Sequence, residues 1–135
     1  MRTRAATCII SLIGLGLGAV TQVEAQPLRA IRPLSGYSCM ALNLTEQQMF
    51  DPSAVPPVMA EPSPTARRIG SAGAIVITAD PLRSQNGYVA MMMPDGKHGW
   101  IAADKLKPYR SAANPTARCI PSMMSDGRPG FTFQH

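Results

Sequence analysis

Asn86-Gly-Tyr-Val-Ala-Met-Met-Met-Pro-Asp-Gly-Lys-His-Gly-Trp-Ile-Ala-Ala-Asp-Lys-Leu106 is the stretch on which the fold turns. It opens on a turn dipeptide, Asn86-Gly87, and reverses again at Pro94-Asp95-Gly96. Asp-Gly between two apolar runs marks a hairpin, because it supplies positive φ where the strands must reverse. Alternation places Val89, Met91 and Met93 on one face and Tyr88, Ala90 and Met92 on the other. Gly99-Trp100-Ile101 follows with the only tryptophan of the chain, and Asp104-Lys105-Leu106 closes the unit with a single helical turn.

Upstream of this hairpin, Val58-Met59-Ala60 reads as a first short strand. Glu61-Pro-Ser-Pro-Thr-Ala-Arg-Arg68 is punctuated by proline and serine and cannot be a central strand, so it is a long first loop. Ala74-Ile-Val-Ile-Thr78 is a β-branched run and the clearest strand. Asp80 to Gln85 is the next loop, and Lys107-Pro108-Tyr109 adds a fifth strand. Short strands between Gly/Pro turns indicate an all-β fold, a small barrel of about five strands over residues 55–109. That length closes a barrel with little core to spare.

The flanks read differently. Arg2 and Arg4 precede the apolar segment Cys8 to Val20, and Val23-Glu24-Ala25 resembles a cleavage site, so residues 1–25 have the form of a secretory signal peptide. The apolar run is too short and glycine-rich for a membrane span, leaving none after cleavage. The mature chain would hold 110 residues, 11 of them basic and 7 acidic. Its two cysteines, Cys39 and Cys119, are expected to pair, as an even count does in an exported protein, and to tie the segment before the barrel to the one after it. Residues 26–54 read as an irregular extension carrying one helix of about two turns, begun by the capping box Thr45-Glu46-Gln47-Gln48 and ended by Asp51-Pro52. Residues 110–135 are polar and turn-rich. Phe131 and Phe133 alternate there, as an edge strand on the barrel or as a frayed tail.

Composition narrows the function classes. The 13 basic against 8 acidic residues are scattered, without a dense run or aromatic interleaving, which argues against nucleic acid. No serine stands in a nucleophile elbow and no glycine-rich phosphate loop is present. The carboxylates Glu61, Asp80, Asp95 and Asp104 fall mostly in turns, unpaired, so no catalysis is expected. Two distant cysteines and the unclustered His98 and His135 do not make a metal site, and no cofactor is implied. Methionine is abundant, nine in all. Met91 and Met93 share a face, as an exported Met-x-Met that holds Cu(I) would. Core packing is the competing reading.

Asn86-Gly87-Tyr88, Asp95-Gly96-Lys97 and Gly99-Trp100-Ile101, at this spacing, resemble the last third of a bacterial SH3-like domain. The resemblance covers residues 55–109. It implies a periplasmic or secreted module whose ligands meet the face made by the first loop, the next hairpin loop and the short helical turn. Mapped by motif, that face holds Glu61, Arg67, Arg68, Tyr88, Trp100 and Tyr109. An aromatic face stacks on sugars or peptide side chains, and arginines pair with carboxylates. Each residue also has a plainer role, Trp100 in packing and Arg67-Arg68 as a solvated pair. The resemblance implies a cell-envelope ligand, peptidoglycan or a peptide or protein. The alternative is a small accessory subunit docking into an envelope complex, and copper binding through methionine comes third. An open groove beside Tyr88 favours the first, and an exposed apolar patch around Met92 or Phe131 favours the second.

Overall fold

A computed structural model describes residues 16, 18–22 and 24–135. The signal-peptide reading of 1–25 therefore lies mostly outside the described residues. The rest is all-β. In chain order the elements are β1 (Ala30–Pro33), β2 (Tyr37–Leu42), α1 (Glu46–Met49), β3 (Pro57–Met59), β4 (Arg68–Ser71), β5 (Ile75–Ala79), β6 (Ser84–Gln85), β7 (Tyr88–Met92), β8 (His98–Ala102), a 3-10 turn (Ala103–Lys105), β9 (Leu106–Pro108), β10 (Arg118–Met124) and β11 (Pro129–Gln134). No described helix is long and apolar enough to cross a membrane.

Two antiparallel sheets organise these strands. The larger runs β4-β3-β8-β7-β5-β2-β9, with β6 paired to β7; the smaller runs β1-β10-β11. Neither closes on itself, so the ladders form two open sheets rather than the closed five-strand barrel expected. The hairpin of the opening stretch forms as read. Asn86 and Gly87 take φ of 53° and 78°, the paired positive angles of a two-residue turn, between β6 and β7. Gly96 takes φ 85° at the tip between β7 and β8, where the Asp95 carboxylate accepts the Lys97 backbone N–H at 2.9 Å.

Alternation in β7 sets the core. Val89 and Met91 are buried and Met93 packs beside them, together with Leu42, Val58, Val76 and Ile101. Tyr88, Ala90 and Met92 face the other way and are half-buried. Ile77 is also buried, on the opposite side of β5, where Pro129 and Phe131 of the small sheet approach it.

Three expectations need correcting. Residues 26–54 are not irregular: β2 lies inside the large sheet, flanked by β5 and β9, and β1 belongs to the small one. The helix is a single turn, although both capping-box bonds form, Thr45 Oγ1 accepting from Gln48 N–H and Gln48 Oε1 from Thr45 N–H. Phe131 and Phe133 are not frayed: they form an edge strand, β11, but it pairs with β10 in the small sheet rather than extending the large one. The Cys39–Cys119 disulfide is present and staples β2 of one sheet to β10 of the other.

Thr78 is a small defect in this packing. It is fully buried, and its hydroxyl has no hydrogen-bond partner among the described residues. An unsatisfied buried hydroxyl costs about 1–3 kcal/mol, so Thr78→Val is expected to stabilise the protein by about 1 kcal/mol. Thermal melting checks this as a rise of about 4–8 °C. An unchanged or lower melting temperature would show that the hydroxyl is satisfied.

Candidate functional site

The ends of β7 and β8 gather the first loop and the helical turn around Tyr88. Tyr88 opens β7 opposite Ala102, the last residue of β8. The Ala103 N–H donates to Gly87 O at 2.9 Å, and Asn43 N–H donates to Lys105 O at 2.8 Å. These bonds fix the 3-10 turn between the Asn86-Gly87 turn and the segment that leaves β2. The Asn86 side-chain amide donates to Pro62 O at 3.2 Å, which ties that turn to the first loop.

A cleft of ≈ 270 Å³ results, lined by Leu44, Gln48 and Val55 together with Tyr88, Ala102 and Lys105. It combines apolar wall, an aromatic ring and an ammonium group, the mixture that orients a small polar ligand. Nearby, Asp51 accepts both the hydroxyl and the backbone N–H of Ser53, which holds its carboxyl below the ordinary value.

The other expected residues are dispersed. Trp100 is half-buried on the same face as Ala90, its partner in register. The Arg83 guanidinium lies 5.7 Å from its ring centroid. Because Ala90 N–H also bonds Arg83 O, the small alanine lets the guanidinium reach across to the ring. Trp100 thus already carries a cation, and Arg83 is a residue the motif mapping missed. Glu61 is exposed in the first loop, one residue from the Pro62 carbonyl that Asn86 holds.

Arg67 and Arg68 lie elsewhere, lining a separate cleft with Lys97 and His98. Tyr109 is removed from all of these. It stacks on Phe133 at 5.7 Å, in a recess shared with Asn114 and His135. The structure therefore brings Tyr88 together with the helical turn, but Leu44, Gln48 and Val55, from the segment between β2 and β3, complete the cleft rather than Glu61, Arg67, Arg68 and Tyr109. In the sequence Gln48 was signalled by the capping box and Lys105 by the closing helical turn, whereas Leu44 and Val55 carried no signal.

Met91 belongs to the core and Met93 packs against it. Among the described residues, no three His, Cys, Asp or Glu side chains are grouped to hold a metal. No family model, curated protein or solved structure matches the chain.

Proposed function

We propose that the protein is an exported, non-catalytic binding module of the cell envelope, and that its ligand, a peptidoglycan element or a peptide, enters the cleft beside Tyr88. The observation that carries this reading is the meeting of the segment between β2 and β3, Tyr88 and the 3-10 turn in that cleft. The SH3-like reading gains support from the run β9-β2-β5-β7-β8 within the large sheet and from the helical turn between β8 and β9. In this reading β2 is the first strand, and the first loop extends from Asn43 to Ala74, with β3 and β4 as its two arms. The disulfide suits an oxidising compartment such as the periplasm or the exterior.

Co-sedimentation of the purified protein with peptidoglycan sacculi tests the proposal. Binding that persists at moderate salt and weakens about tenfold in Tyr88→Ala is expected, the size of effect an aromatic anchor gives. Binding that salt abolishes and Tyr88→Ala leaves unchanged would reduce it to attraction between opposite charges.

A second reading, an accessory subunit docking into an envelope complex, has its own observation. Phe131 is 36% and Phe133 43% exposed along β11, an edge strand of the small sheet, and Phe131 with Met92 lines an apolar recess of ≈ 140 Å³. Absence of sacculus binding with retained fold would favour this reading.

A further inference from the structure

We propose that the cleft between the β3–β4 hairpin and the tip of the β7–β8 hairpin is an anion site for a phosphate-bearing small molecule, distinct from the cleft beside Tyr88. It has a volume of ≈ 570 Å³ and is lined by Ala60, Arg67, Arg68, Ile69, Lys97 and His98. Three of these six side chains are permanent cations. They come from two parts of the chain, the end of the first loop and the start of β8, brought together because β3 pairs with both β4 and β8.

Charge balance selects the ligand. Among the described residues the one ion pair is Lys97 with Asp95, at 3.8 Å between Nζ and Oδ2. Asp95 is held in place by the Lys97 backbone N–H and offsets a single cation. Arg67 and Arg68 face no carboxylate, and Glu61 is not among the lining residues. Two positive charges are left uncompensated, which a phosphomonoester dianion balances and a single carboxylate does not.

The donors also suit phosphate. Arg68 is anchored by its own strand, its Nε donating to Gly70 O at 3.2 Å and its Nη2 bonding the Ser71 hydroxyl, so one guanidinium is oriented before any ligand arrives. A fixed guanidinium presents its remaining N–H groups as a fork that matches phosphate oxygens. Lys97 adds a mobile point charge at the rim. The site is at the His98 end of β8 and Tyr88 faces the Ala102 end, about 13 Å apart at the usual rise per residue. One small ligand does not reach both.

The test is a titration of the purified protein with inorganic phosphate at constant ionic strength, followed by amide chemical shifts. Saturable shifts at Ala60, Ile69 and His98 are expected, with none from chloride. The double variant Arg67→Gln with Lys97→Gln should weaken binding at least tenfold, the loss expected for two charge-assisted contacts. Both side chains are exposed, so folding is preserved, and a melting curve confirms it. Arg68 is left intact because it braces β4. Tyr88→Ala should leave phosphate affinity unchanged, which separates this site from the Tyr88 cleft whatever becomes of the latter. Equal shifts from phosphate and chloride, or equal affinity in the double variant, would overturn the proposal. So would binding only to phosphatidylglycerol vesicles, which would make the cleft a membrane contact.

Discussion

Gly99→Val should lower the melting temperature by about 12–24 °C, corresponding to a loss of about 3 kcal/mol. A Cβ at Gly99 would lie 2.5 Å from Val58 Cγ1, 3.2 Å from Ile69 Cδ1 and 3.2 Å from Met59 O. Val58 is fully buried, and the Met59 carbonyl belongs to the backbone of β3. Neither yields without moving the β3–β4 hairpin away from β8. The first loop would move with it, so ligand binding should fall together with stability. Trp100, next in the chain, reports the shift through its fluorescence. Gly73→Ala is the control, since its nearest neighbour would be Ile75 O at an ordinary 3.7 Å. A Gly99→Val protein that melts like the control would mean that β3 does not press against β8 there.

Replacing both Cys39 and Cys119 by alanine should have an effect at least as large. The bridge spans a sequence separation of 80 residues. Cross-linking a loop of that length stabilises a fold by roughly 4–5 kcal/mol in the chain-entropy model. The expected drop in melting temperature is roughly 16–40 °C. The small sheet should suffer first, because the bridge anchors β10 to β2. Hydrogen exchange would register this as lost protection over β10 and β11 while β5 and β7 stay protected. Equal melting of the variant and the oxidised protein would refute the stabilising role of the bridge.

These effects were legible in the sequence to very different degrees. The Asn86-Gly87 and Asp95-Gly96 turns, the alternation of Val89 and Met91, and the β-branched run of β5 announce themselves, because local chemistry alone determines them. β2 does not. Tyr37-Ser-Cys-Met-Ala-Leu42 has no β-branched residue, and its strand character comes from two flanking partners rather than from its own propensity.

β10 was hidden by Pro121, which argues against a strand with neighbours on both sides. The structure tolerates it because Leu34 N–H donates to Pro121 O, which places Pro121's polar edge on the β1 side. β1 has ended at Pro33, so the missing N–H deprives β11 of nothing. A usable signal was present all the same. Met93-Pro-Asp-Gly-Lys97 recurs as Met124-Ser-Asp-Gly-Arg128, and both form the same turn, with Gly96 and Gly127 at positive φ and the aspartate accepting the following basic residue's N–H.

The candidate site was legible only around Tyr88. Side chains such as Arg67 and Tyr109 were grouped with it by motif, whereas pairing of β3 with β8 and of β10 with β11 carries them to other parts of the molecule.

The position of β2 inside the large sheet, between β5 and β9, has a kinetic consequence. Its partners arrive late: Ile75–Ala79 on one side and Leu106–Pro108 on the other. A strand made early must therefore wait, unpaired, for segments synthesised much later, and the entropy of closing those long loops is spent before the contacts return it. A chain emerging end-first from a narrow channel cannot complete its large sheet until Pro108 is out. Up to that point β2 has at most one of its two partners.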